Sequence, residues 1–193
     1  MVDSSRRLKQ LEAEVTRLRS LCMLTSDYAY GVRTTPDGGW KLEWSQGDWS
    51  RVTGYTTEEM GGKLGWLSIL HEADHSIIED HISLVMAGQD STVEVRIITR
   101  SGEERWIRDF AIPWLDPETE EVMGMVGAIQ DITHHREAET ALARSETSFR
   151  MLMDHTPDGV VITDSDDQIL RLNPAAEQIY GYSHHELIGQ PSH

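Results

Sequence analysis

A stretch of about fifteen residues occurs twice in this chain, and the repeat limits the fold more than any other feature. Residues 49–63 align with residues 176–190. Gly54 and Tyr55 fall on Gly181 and Tyr182, Thr56 on Ser183, Glu59 on Glu186, Met60 on Leu187 and Gly62 on Gly189. Upstream, Gly31 and Val32 pair with Gly159 and Val160 after a one-residue difference in the hairpin. A repeat at this scale means one supersecondary unit used twice. The second copy stops at His193, before a long helix and three strands that the first copy has. Such a copy cannot close its sheet, so either poor order or membership of a longer protein is expected.

Periodicity supplies the rest of the first unit. Residues 28–34 and 40–45 read as strands joined by a Pro-then-Gly turn, Pro36 to Gly39. Short polar helices follow up to Gly65. Asp74 is then the expected N-cap of a helix over 75–87 that ends at Gly88. Strands are expected over 92–100, 104–115 and 121–132, with turns at Ser101–Gly102 and Asp116–Pro117. Strands, helices and a strand meander in that order make an α+β domain with an antiparallel sheet.

Two helical seams flank that domain. Leu8, Leu11, Val15, Leu18 and Cys22 step by three and four, as do Ala138, Leu142, Ser145, Phe149 and Leu152. The spacing predicts an N-terminal coiled-coil-like helix within 1–27, a complete domain at 28–133, a connector helix at 134–155 and a truncated second domain at 156–193. Leu8, Leu11, Val15, Leu18, Leu142 and Phe149 are the expected interface of a homodimer.

Composition excludes several function classes. The net charge is −16, with three lysines, which does not suit binding nucleic acid through a basic surface. One cysteine, Cys22, rules out an internal disulfide and a Cys-based zinc cluster. No run has the apolar length of a membrane span, and residues 1–24 are too charged for a signal peptide, so a cytoplasmic location is expected.

The order and spacing of several motifs resemble PAS domains. Residues 54–62 and 173–189 are similar to the early-helix segment of that family. Residues 71–74 resemble the step before its long helix. Residues 94–97 with 101–107 resemble its central strand pair, and Asp131 to Thr133 the motif that ends the domain. The resemblance implies a PAS fold: a five-stranded antiparallel sheet with helices on one face, flanked here by amphipathic helices. It also implies that Asp131 and Thr133 couple the sheet to an output helix, where Thr133 is also an ordinary helix cap.

Candidate ligand-binding residues follow from alternation and the helical stripe. Ile78, His81, Ile82 and Val85 share one helix face. Val95, then Phe110 and Ile112, then Met125 and Ile129 are the strand positions expected to oppose it. They enclose either a ligand pocket or a filled core. No cofactor is favoured. The resemblance places a haem ligand on this same helix, nearer Glu79 than His81, and the tryptophans suit a non-covalent flavin. A photoactive flavin adduct needs a cysteine within 49–66, where there is none.

His71, Glu72 and His75 form an HExxH match, with His81 in the place of a third zinc ligand. Zinc chemistry needs both histidines on one helix. Asp74 as N-cap leaves His71 outside, and Ile78 stands where a glycine is required. No metal site and no catalytic residue are expected. His185 and Glu186 followed by Pro191 resemble a phosphoacceptor box, but the repeat assigns them to a helix equivalent to 58–59.

The expected function is a sensory and dimerisation input module of a signal-transduction protein, such as a histidine kinase of a two-component system or a cyclic-dinucleotide enzyme. Its output domain lies outside this chain, and the chain itself is not an enzyme. The alternatives are a haem or flavin redox or gas sensor, a ligand-free interaction module and, remotely, a zinc hydrolase.

Overall fold

The computed structural model describes residues 26–60 and 65–192. The N-terminal seam of Leu8, Leu11, Val15, Leu18 and Cys22 lies outside the described residues, as do Gly62 and its neighbours 61, 63 and 64. The chain divides into two compact units at residues 136 and 137.

In the first unit, strands β1 (Tyr28–Thr34) and β2 (Trp40–Gly47) form a hairpin. Its turn closes through Gly38 N–H to Thr35 O at 2.9 Å, with Gly38 at φ 75°, a conformation that favours glycine. Helices α1 (Trp49–Thr53) and α2 (Thr57–Met60) and two short 3₁₀ turns follow, then the long helix α3 (His75–Met86). Strands β3 (Ser91–Ile98), β4 (Glu104–Leu115) and β5 (Val122–Asp131) complete the unit. The sheet has the order β2-β1-β5-β4-β3 and every pairing is antiparallel, as the sequence implied. The last strand is central, pairing with both β1 and β4, which brings the two ends of the domain side by side.

The core lies between the inner sheet face and the helices. Val52, Ile78, Val95, Ile97 and Ile107 are all within 1% of complete burial. Removing each from water contributes about 1.5–3 kcal/mol.

The repeated motif has a local physical basis. Gly54 and Gly181 both adopt the left-handed conformation, φ 79° and 76°, at the C-terminal ends of α1 and α5 (Pro174–Tyr180). The next helix then restarts through a capping box in each copy. Glu59 accepts from Thr56 N–H at 2.8 Å and Thr56 Oγ1 accepts from Glu59 N–H at 3.3 Å. Ser183 and Glu186 do the same at the start of α6 (His184–Leu187). A helix stop followed three residues later by a helix start is what the repeat encodes.

Helix α4 runs from Thr133 to His155. The second unit adds the hairpin β6 (Val161–Thr163) and β7 (Ile169–Leu172), then α5 and α6. Its small core is Ile169, Leu172 and Ala176, beside Asn173, which is 1% exposed and fully engaged. The Asn173 side chain accepts from Val160 and Ala176 N–H and donates to Asp158 O, all within 2.9 Å.

Asp74 occupies the N-cap position of α3, but its carboxylate does not cap the helix. It accepts three bonds from Arg96 on β3 instead: N–H at 2.8 Å, Nε at 2.9 Å and Nη2 at 2.6 Å. A bidentate guanidinium is a stronger partner than a helix N–H and holds α3 to the sheet. Arg96 keeps the Asp74 carboxyl below the usual carboxylate range. Its contribution is therefore complete above pH 4 or so and is lost as pH falls through the lowered value. Asp74→Ala, which removes all three bonds to Arg96, should lower the urea midpoint at pH 7. A change within experimental error would show that the pair does not anchor the helix.

Candidate functional site

The inner sheet face and the helical segment enclose a cavity of about 520 Å³. This lies within the usual range of small-molecule sites, roughly 300–1,000 Å³. Five aromatic side chains reach it: Tyr28 and Tyr30 from β1, Trp40 from β2, Trp49 from α1 and Trp66 from the first 3₁₀ turn. Tyr28 and Trp49 pack with ring centroids 4.9 Å apart at a 43° tilt. Ile82, Met125 and Ile129 add aliphatic wall.

Lys41 and Glu58 also line the cavity, but the buried ionisable group on its sheet side is an acid. Asp109, on β4, is 3% exposed and accepts from the Tyr30 hydroxyl at 2.9 and 3.2 Å. Gly127 makes that contact feasible: a Cβ there would sit 2.4–2.5 Å from the Tyr30 phenol. Burial pushes the Asp109 carboxyl up to about 7, against the lowering effect of the Tyr30 hydrogen bond. Burial and Asp109 together raise the Tyr30 phenol well above its ordinary value.

Behind Asp109 sits His81, 2% exposed. Its Nδ1 is 2.9 Å from Ser91 Oγ on β3. Its Nε2 has no hydrogen-bond partner and points toward Asp109 Oδ2 at 3.7 Å, too far for a hydrogen bond. Burial lowers the His81 pKa, which keeps the ring neutral.

The candidate residues therefore separate into three groups. Ile82, Met125 and Ile129 line the cavity. Ile78, Val85 and Val95 are packed in the core beside it, at 1%, 0% and 0% exposure. Phe110 and Ile112 do not reach it: they are 46% and 37% exposed and lie on the outer sheet face. In β4 the inward positions are Ile107, Asp109 and Ala111, so the expected phase was one residue off. The larger side chains at 110, 112 and 114 suggest the opposite face, yet Ile107 packs in the core and Asp109 meets Tyr30 on the inner side. Sequence periodicity also missed Tyr30, Trp40, Trp49 and Asp109. A lone acid between Ile107 and Ala111 in an alternating strand was the available signal.

The residues do not bear out a cofactor role for His81 or a flavin-reading wall. His81 is not among the cavity-lining residues: one ring nitrogen lies 2.9 Å from Ser91 Oγ and the other turns to Asp109. A flavin presents an edge of alternating donors and acceptors, and no Asn or Gln is among the lining side chains. The HExxH match also dissolves. His71 lies before α3, with Nδ1 accepting from Ala73 N–H at 3.2 Å, while His75 starts the helix. No cluster of metal-ligating side chains occurs among the described residues.

At the exit of the sheet, Asp131 joins three elements. Its N–H donates to Asp27 Oδ2 at 2.7 Å, its Oδ1 accepts from Thr133 N–H at 3.0 Å, and Arg105 Nη1 lies 3.3 Å from its Oδ2. The same Arg105 nitrogen reaches the carbonyls of Arg51 and Val52 in α1, each at 3.2 Å. Thr133 does not cap its own helix. Its hydroxyl accepts from Trp106 N–H at 3.0 Å, tying α4 to β4. Arg136 stacks over the Trp106 ring at 4.2 Å and pairs with Glu94. On α4, Leu142 is 62% exposed and Phe149 43% exposed, with Arg171 over the Phe149 ring at 5.3 Å.

Comparison with known proteins agrees with this architecture. Residues 41–129 match the family described as PAS fold, and residues 147–192 match the family described as PAS domain. The chain belongs to the PAS-domain family. The sensor protein FixL of Bradyrhizobium diazoefficiens is 29% identical over 153 residues, which is 78% of this chain and 30% of FixL. The signal transduction histidine-protein kinase AtoS of Escherichia coli is 41% identical over 51 residues, 26% of this chain and 8% of AtoS. The chain thus spans less than a third of the length of either relative. Among solved structures, a sensory box histidine kinase/response regulator from Burkholderia thailandensis aligns with a TM-score of 0.52 at 23% identity, covering 69% of this chain and 98% of that one. An RNA-binding light-oxygen-voltage receptor aligns with a TM-score of 0.53 at 20% identity, covering 71% and 37%. At these identities the structures share the fold alone. The PAS units here are related to segments of a sensor protein and of a signal transduction histidine-protein kinase. No described helix is long and apolar enough to cross a membrane.

Asp109 sets a pH dependence whose direction is fixed. Its folded pKa of about 7 lies above the unfolded value near 4, so the native PAS domain holds the proton more tightly. Stability is therefore lost as pH rises from about 4 to 7. Asp109→Asn should flatten that slope and exceed the parent in stability at pH 8, read from urea midpoints at pH 5.5 and 8. Parallel pH profiles for the two proteins would refute the burial argument.

Proposed function

We propose that this chain is the input module of a signal-transduction protein, in which a small molecule in the first PAS domain biases the start of α4. One observation carries the proposal: helix α1 belongs to both sites. Trp49 in α1 faces the cavity, and the α1 carbonyls of Arg51 and Val52 bind Arg105, the partner of Asp131. A ligand that shifts Trp49 changes the register of α1 against Arg105 and so biases the Asp131 bond to the first turn of α4. The ligand acts through its differential affinity for two arrangements of that bond.

The exposed seam on α4 supports a dimer in which paired connector helices pass this bias to an output domain elsewhere in a cytoplasmic protein. The similarity to the histidine-protein kinase AtoS makes a histidine kinase the leading candidate for that output. The chain itself catalyses nothing in this scheme.

A neutral aromatic probe, 2-phenylethanol, should quench tryptophan fluorescence and alter amide hydrogen exchange over residues 133–136. Arg105→Gln should bind the probe as the parent does and lose the exchange response. Binding with no change in exchange at α4 would sink the relay. In light scattering, Leu142→Glu combined with Phe149→Glu should convert a dimer to a monomer. An unchanged dimer would move the interface away from this seam.

A further inference from the structure

The buried and half-buried carboxylates of the first PAS domain are treated unequally. Asp74 is held by Arg96, Glu94 by Arg108 and Arg136, and Asp131 by Arg105. Asp109, which faces the cavity from β4, has no such cation. Among the described residues its ionic neighbour is His81 Nε2 at 3.7 Å, on a ring that burial keeps neutral. Tyr30 gives it one hydrogen bond donor, and the facing atom from β5 is the Met125 sulfur, 4.0 Å from the Tyr30 hydroxyl. A buried carboxylate without a cation is costly, and the buried, unpartnered His81 Nε2 compounds that cost.

The surrounding wall is of the type that holds organic cations. Tyr28, Tyr30, Trp40, Trp49 and Trp66 line the same cavity as the acid, and the faces of such rings attract cations. At the helical side stands a second carboxylate, Glu58, against a single amine, Lys41. The net charge of −16 further favours approach of cations over anions. An anionic ligand would meet Asp109 with no guanidinium to receive it.

We propose that the cavity of the first PAS domain selects a protonated amine with an apolar, ring-sized body, its ammonium paired with Asp109 and its body held by the aromatic wall. This assignment rests on the proposed role of the cavity as a ligand site and narrows it to a ligand class. The ammonium supplies the charge partner that Asp109 lacks, and binding ionises the carboxyl. Affinity for an amine that is itself fully protonated therefore rises with pH toward and through 7, while His81 and Tyr30, the other titratable groups facing Asp109, stay neutral.

The test compares three probes of nearly equal shape on the full chain: 2-phenylethylamine, 2-phenylethanol and phenylacetate, titrated by tryptophan fluorescence and calorimetry. The amine should bind about tenfold or more tighter than the alcohol at pH 8, with phenylacetate weakest. The preference should shrink at pH 5.5. Asp109→Asn, checked for folding by near-ultraviolet circular dichroism, should bring the amine down to the affinity of the alcohol. The alcohol itself should stay within about threefold of its parent value. Should Asp109→Asn not fold, Tyr28→Leu serves, and a falling amine-to-alcohol ratio is the expected result. Equal binding of amine and alcohol by the parent overturns the cation assignment and leaves the ligand site standing. No binding of any probe overturns both.

Discussion

The pairing of β1 with β5 at the middle of the sheet is the constraint on which the rest depends. It joins the first strand of the domain to the last, with Tyr28 opposite Ile129 and Tyr30 opposite Gly127. Those pairs put two aromatic rings and an aliphatic wall on one side of the cavity. The same pairing carries Asp27 to the N–H of Asp131, where the sheet ends and α4 begins. Cavity and exit are thus two ends of one ladder. A long-range pairing of this kind forms only after the helices between the strands have folded back, so the site does not exist apart from the complete domain.

Much of this order was readable because it is local. The repeat survives in sequence since a left-handed glycine and a capping box each demand particular residues at fixed offsets. Gly54, Thr56 and Glu59 recur as Gly181, Ser183 and Glu186 for that reason. The turn at Gly38, the end of α3 near Gly88 and the strand meander follow from equally local rules. The five-stranded antiparallel sheet then follows from the order of elements and from the family resemblance.

What was not readable depends on partners distant in sequence. Asp74 has the sequence signature of a helix cap, and only the sheet reveals that Arg96 competes for it. Thr133 has the same signature, and the unpaired N–H of Trp106 takes its hydroxyl. In β4 both faces alternate plausibly, because Phe110, Ile112 and Trp114 are as apolar as Ile107 and Ala111. The choice rests on what faces the strand from elsewhere in the chain: inward, Ile107 packs in the core and Asp109 meets Tyr30 and His81. His81 was recognised as a member of the apolar helix stripe, but its neighbours Ser91 and Asp109 come from two different strands.

That last cluster differs from the carboxylates that fasten the scaffold together. Where a carboxylate fastens one element to another, at Asp74, Glu94 and Asp131, an arginine neutralises it and the bond belongs to the scaffold. Where the carboxylate faces the cavity, no arginine is supplied and the unfavourable charge is left on Asp109. Such a group is poor scaffolding, since an apolar side chain of equal size would make a more stable core. It persists in a fold otherwise thorough about pairing its charges, and its one strong partner, Tyr30, is itself held in place by the missing side chain of Gly127. On the proposed reading, an uncompensated carboxyl facing this cavity is an affinity held in reserve. The ligand that completes it gains most where the protein alone is least satisfied.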